Sequence, residues 1–185
     1  HLRLVDHVRG DRGQVDAEIG EGHGRPASDA HQTFRASQDE IDVGIAAWPH
    51  YPDEVQADPL LSERYTVAMR ADDALSSSEN IGIERLAGQS YIDRVGCEFD
   101  DHYVALHGEW TIDLNVVFAS EREDWIHGLL LAGLGYAVVP EFMNLPPGLV
   151  KRPLCQPEVR RDVSLLTLRG KQLSPAAAMF VRLAK

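Results

Sequence analysis

The stretch ASEREDWIHGLLLAGLGYAVVPE, Ala119 to Glu141, decides how this chain is read. Ser120 followed three residues later by Glu123 has the form of a capping box, in which the hydroxyl accepts from an orphan helix N–H and the carboxylate reaches back to the cap. The spacing predicts a helix starting there. Glu121, Glu123 and Asp124 suit the positive end of its dipole, while Trp125, Ile126, Leu129, Leu130 and Leu131 cover nearly every face further on, as in a helix buried against a sheet. Gly133 can take the left-handed conformation that ends it. Gly135 lets the chain pass close to a neighbour before the apolar strand YAVVP, Tyr136 to Pro140. Strand, helix and strand in this order make a βαβ crossover, and Ser120 falls at the edge where open parallel sheets bind ligands.

Outward from this stretch, turn signals arrive at the spacing of alternating strands and helices, so the class is α/β. Upstream, VDAEIGEG (Val15 to Gly22) reads as a strand and ASDAHQTFRASQDE (Ala27 to Glu40) as a helix capped near Ser28 or Asp29. The run from Ile41 to Ala47 reads as a strand covered on both faces, since it lacks polar alternation. A strand through Tyr65, Val67 and Met69 follows, then a short helix in IGIERLAG closed by Gly88, then the strand SYIDR (Ser90 to Arg94). Phe99, His102, Tyr103 and Leu106 recur at helical spacing and mark an amphipathic helix. WTIDLNVVFAS returns as a strand. At the end, VSLLTLRG (Val163 to Gly170) is a strand, and Ser174 with Pro175 opens a last helix with Met179, Phe180 and Leu183 inward.

Composition bounds the function. The 185 residues, 44% hydrophobic, can bury one core or two small ones. No apolar run approaches the ~20 residues of a membrane span and no signal peptide is visible, so a soluble, cytoplasmic protein without membrane contact is expected. A net charge of −11 repels a phosphate backbone, so this chain is not expected to hold DNA by itself. Cys97 and Cys155 have no CxxC or Cys/His ligand spacing, and His102 with His107 falls off one helical face, so no metal is expected. No GxSxG, GxGxxG or GxxxxGK[ST] motif occurs; neither a cofactor nor catalysis is indicated.

The segments DVGIA, PLLSERYTVAMRADDALS, LAGQSYIDR, LLLAGLGYAVVPE, GLVKRPL, VSLLTLRG and SPAAAMFVRLAK follow in the order and spacing that resembles the effector-binding domain of LysR-type transcriptional regulators. AGLGYAVVP after a strand and helix is the most specific of them. The resemblance implies two Rossmann-like α/β subdomains of periplasmic-binding-protein (type 2) architecture joined by two crossing strands. Subdomain I would comprise residues 1–66 plus 160–185, with its N-terminal part shortened, and subdomain II residues 67–159. It also implies a small-molecule effector in the cleft between them, a homodimer or higher homo-oligomer, and DNA binding only through an N-terminal winged helix-turn-helix that these residues do not include. A stand-alone solute-binding protein of the same fold, serving a transporter, is the alternative.

The expected effector contacts follow three strands in the βα register: Ala47 and Trp48, then Asp93, Arg94 and Gly96, then Ser120 and Glu121. Trp48 reads either as a stacking surface or as cover for a core edge. Arg94 reads either as a bidentate fork for a carboxylate or as the partner of Asp93 or a nearby Glu. As the only cation in these segments, beside the donors of a helix N-terminus, Arg94 points to a small carboxylate as effector. Cys97 lies where the peroxide-sensing members of the family keep a reactive thiol, but position 106 is Leu106 where the second cysteine belongs, and Glu98, Asp100 and Asp101 oppose a thiolate. An ordinary cysteine is expected.

Overall fold

The computed structural model describes residues 4–6, 42–107 and 112–185. The predicted strand at Val15 to Gly22 and helix at Ala27 to Glu40 lie outside the described residues. In chain order the strands are β1 (Leu4–Asp6), β2 (Val43–Ala46), β3 (Val55–Arg70), β4 (Ile81–Gly82), β5 (Ser90–Arg94), β6 (Asn115–Ser120), β7 (Ala137–Pro140), β8 (Leu149–Cys155) and β9 (Arg160–Leu168). The helices are α1 (Phe99–His107), α2 (Glu123–Leu131) and α3 (Pro175–Ala184). The chain divides into two units: His1–Leu61 with Asp162–Lys185, and Ser62–Arg161. Both borders fall inside strands, β3 and β9, so the chain passes twice from one unit to the other.

In the first unit β2 pairs parallel with β1 and antiparallel with β9. Val43 and Leu165 on one face pack with Ala177 of α3, joined by Leu60, Phe180 and Val181. The start of α3 matches expectation, because Ser174 accepts from Ala177 N and Pro175 needs no donor in the first turn. Of the inward residues expected on α3, Phe180 is half-buried but Met179 and Leu183 are exposed. Ala177, with Phe180, Val181 and Ala184 beside it, marks the stripe that meets the core.

The second unit carries the sheet that positions the site. β5 pairs parallel with β6 from Ser90↔Asn115 to Arg94↔Ser120. Its other edge meets Tyr136, through Ile92 N to Tyr136 O at 2.8 Å and Tyr136 N to Ser90 O at 3.0 Å. β3 lies antiparallel to both β7 and β8, and β4 runs parallel to β8. Alternate residues point to opposite faces. Tyr65, Val67 and Met69 therefore enter one core with Phe99 and Tyr103 of α1, whereas Ala68, Ile92 and Val139 enter another with Ile126 and Leu130 of α2. Helices on both faces explain why β3 is buried without a break from Tyr65 to Met69, and each large apolar side chain fully buried there contributes about 1.5–3 kcal/mol.

Several sequence expectations are corrected by packing. β3 begins at Val55, ahead of the apolar run, because its polar early half still pairs as extended backbone. IGIERLAG forms the short β4 followed by a 3-10 turn over Ile83–Leu86. Of the described residues expected to be covered on both faces, Val43 and Ala47 are buried and residues 44–46 only half-buried. Leu106 of α1 is exposed, as are Trp125 and Leu131 of α2, so α2 buries one stripe rather than nearly every face. The capping box is not formed: α2 starts at Glu123 behind Arg122, which gives no side-chain cap. Gly133 does hold a left-handed φ of 75°, and a side chain at Gly135 would collide with the Ser90 carbonyl, as the close strand passage requires.

Candidate functional site

Parallel pairing brings the carboxyl ends of β5 and β6 to one edge, where Asp93 stands opposite Ala119 and Arg94 opposite Ser120. The chain leaving β5 turns sharply. Val95 N donates to Ser120 O at 3.0 Å, and Cys97 N donates to Arg94 O at 2.9 Å across a turn whose third residue, Gly96, has φ of 81°. That position suits glycine, since a side chain there is strained. Five of the predicted residues, Asp93, Arg94, Gly96, Ser120 and Glu121, thus belong to two adjoining strand ends.

The Arg94 side chain is 12% exposed. Its Nε donates to Glu123 Oε1 at 2.9 Å, its Nη2 to the same oxygen, and its Nη1 to Cys97 Sγ at 3.1 Å. Of the two roles open from the sequence, the ion pair with a nearby glutamate is the one made in this structure. Ser120 Oγ accepts from Arg122 N at 3.0 Å, and Glu121 is exposed. Burial pushes the Cys97 thiol up to about 11 against the pull of the Arg94 guanidinium, so the thiol stays protonated at neutral pH. Burial, more than the neighbouring carboxylates, is the cause.

A second charged cluster follows directly. Arg161 donates to Glu63 Oε1 at 2.8 Å and to Glu98 Oε2 at 3.0 Å, and Glu63 Oε2 accepts from Phe142 N at 2.8 Å. The Arg161 guanidinium lies 5.9 Å from the Tyr65 ring centroid. The Tyr65 hydroxyl is buried without a hydrogen-bond partner, and burial raises its pKa well above the ordinary tyrosine value. Glu63 and Arg161 escaped the sequence reading, Tyr65 was read only as a strand residue, and Glu123 was read as a helix cap rather than as the partner of Arg94. The only signal was the pair Arg160-Arg161 at the mouth of an apolar strand.

In the first unit Ala47 is buried, and Trp48 packs on Tyr51 with ring centroids 5.7 Å apart. Trp48 N donates to the Tyr51 hydroxyl, which donates to Ala46 O. Trp48 also joins the cluster around Val55 and Leu166, so it covers a core edge. An open apolar depression of about 430 Å³ beside α2, lined by Phe118, Asp124, Trp125, Gly128 and Leu129, holds none of the predicted residues. Among the described residues no group of three or more His, Cys, Asp or Glu is placed to hold a metal ion, and no helix is long and apolar enough to cross a membrane.

The family model of the LysR substrate binding domain matches residues 27–185. The chain belongs to this family. It is 26% identical over 148 residues to the uncharacterized HTH-type transcriptional regulator YybE of Bacillus subtilis (strain 168), covering 79% of this chain and 51% of that one. The chain spans about half the length of the curated relatives it matches. Among solved structures, the CcmR regulatory domain of Synechocystis PCC6803 in complex with 2-PG aligns with a TM-score of 0.69 at 21% identity, covering 83% of this chain and 77% of that one. The effector binding domain of QuiR in complex with shikimate aligns with a TM-score of 0.71 at 19% identity, covering 84% and 76%. The fold of this LysR substrate-binding domain is therefore the mixed α/β, periplasmic-binding-protein type 2 architecture.

Proposed function

We propose that this chain is the effector-sensing and oligomerising domain of a LysR-type transcriptional regulator, and that its effector is a small carboxylate. The observation that carries the reading is the Arg94↔Ser120 register, which sets a guanidinium withdrawn from bulk water beside the start of α2. A planar fork in such a place suits bidentate carboxylate recognition. Asp93, Gly96, Ser120 and Glu121 shape the polar surround. Family relatives named as HTH-type regulators, and family structures carrying 2-PG or shikimate, support a ligand-sensing role over a transporter-serving one.

DNA contact in this proposal belongs to a helix-turn-helix segment outside these residues, in keeping with the charge of −11, and the compartment is the cytoplasm. Self-association would cover exposed apolar side chains such as Trp125, Leu131 and Leu134, and light scattering at high micromolar concentration measures it. The effector assignment is tested by a thermal-shift screen against small carboxylates and aromatic acids. A ligand that binds the folded state raises Tm with concentration, and no rise across the set would refute the carboxylate assignment.

A further inference from the structure

We infer that Glu123 is an internal stand-in for the effector carboxylate, and that it sets which anions this domain accepts. The inference rests on the effector site proposed above and names the residue that tunes it.

The geometry separates the two edges of the Arg94 guanidinium. Nη1 is committed to Cys97 Sγ, which fixes the plane, while Nε and Nη2 together face one glutamate oxygen. That Nε/Nη2 edge is the one a carboxylate engages side-on. Arg94 is 12% exposed and Glu123 43% exposed, so the cation is held and its partner is the solvent-facing member. A departing Glu123 regains water without leaving a buried charge of its own. It also remains the first residue of α2, where a carboxylate is favoured by the helix dipole. An incoming carboxylate then restores the neutrality of Arg94. The site still carries Asp93 and Glu121 near the same strand ends, so exchange of one anion for another is electrostatically easier than addition of a second.

Competition of this kind weakens apparent affinity by the fraction of time Arg94 is engaged by Glu123. Glu123→Gln keeps an acceptor for Arg94 but removes the charge, and Glu123→Ala removes both. Each variant of the 185-residue chain is to be titrated calorimetrically with shikimate and benzoate, and with their neutral counterparts methyl shikimate and benzamide. The expected result is carboxylate binding tightened by about tenfold or more in both variants, with no matching gain for the ester or amide. Circular dichroism confirms that each variant is folded. Unchanged or weaker carboxylate binding in the folded variants overturns the inference, as does an equal gain for the neutral compounds. Absence of carboxylate binding in wild type and variants alike overturns it too. If wild type binds methyl shikimate or benzamide alone, the effector-sensing role stands and only the stand-in role of Glu123 falls.

Discussion

Arg94 and Arg161 both carry guanidinium groups largely withdrawn from water, 12% and 18% exposed, and both are answered by glutamate. Arg161 faces two carboxylates, of which Glu63 is 4% exposed and anchored further by the Phe142 N–H. Arg94 faces one, and that one reaches the surface. The first arrangement is structural: taking away Arg161 strands two carboxylates that are largely withdrawn from water. The second can be opened. An ion pair becomes a binding element when its more exposed member is the one with the ligand's chemistry.

The largest effect that distinguishes them is on stability. Arg161→Ala leaves the Glu63 carboxylate buried with one backbone donor, and urea unfolding is expected to show a loss of about 3–5 kcal/mol. Next comes binding. Arg94→Ala is expected to weaken a carboxylate found in the screen by about 1.5–3 kcal/mol, the value of a charged hydrogen bond, while Arg161→Lys leaves that affinity unchanged. If Arg94→Ala binds as well as wild type, the comparison breaks and the site must be sought elsewhere.

Smaller still is the stability change in Glu123→Gln, about 0–1 kcal/mol, because the amide oxygen still accepts from Arg94 and the position is half in water. A loss comparable to that of Arg161→Ala would make the two pairs alike. Arg64 and Glu141 form a third pair, half-exposed on both sides, whose hydrogen bond holds the Glu141 carboxyl below the usual carboxylate range. A pKa depressed by folding adds stability that is present above the ordinary value and lost as pH falls through the folded one. The amount is under about 1 kcal/mol for a pair that water reaches on both sides. Acid titration of Tm should accordingly show a shallower loss in Arg64→Met than in wild type.

The sequence showed the elements whose signals are local. SYIDR begins and ends as its apolar pattern predicts, Phe99 and Tyr103 give α1 its buried stripe, and Ser174 with Pro175 marks the start of α3. It failed where a distant partner competes for a local one. Ser120 and Glu123 have capping-box spacing, yet Glu123 binds Arg94 from another strand and the box stays unmade. Glu63 and Arg161 stand 98 positions apart, beyond any periodicity, and only the pairing of strands brings them together. The meeting of the two strand ends was therefore legible in the backbone pattern, and which carboxylate each arginine holds was not.

The borders inside β3 and β9 bear on synthesis. Ser62–Arg161 is one uninterrupted segment, whereas the first unit draws on both ends of the chain. During translation the inserted segment leaves the ribosome whole while β2 still waits for β9, its antiparallel partner, and for α3, which closes the core around Val43. The inserted segment can thus assemble first, and the other unit closes only when the residues beyond Arg161 join those before Ser62. A nascent chain stalled before Asp162 would hold a finished unit beside an open strand edge, the kind of edge that chaperones shield and that aggregation exploits.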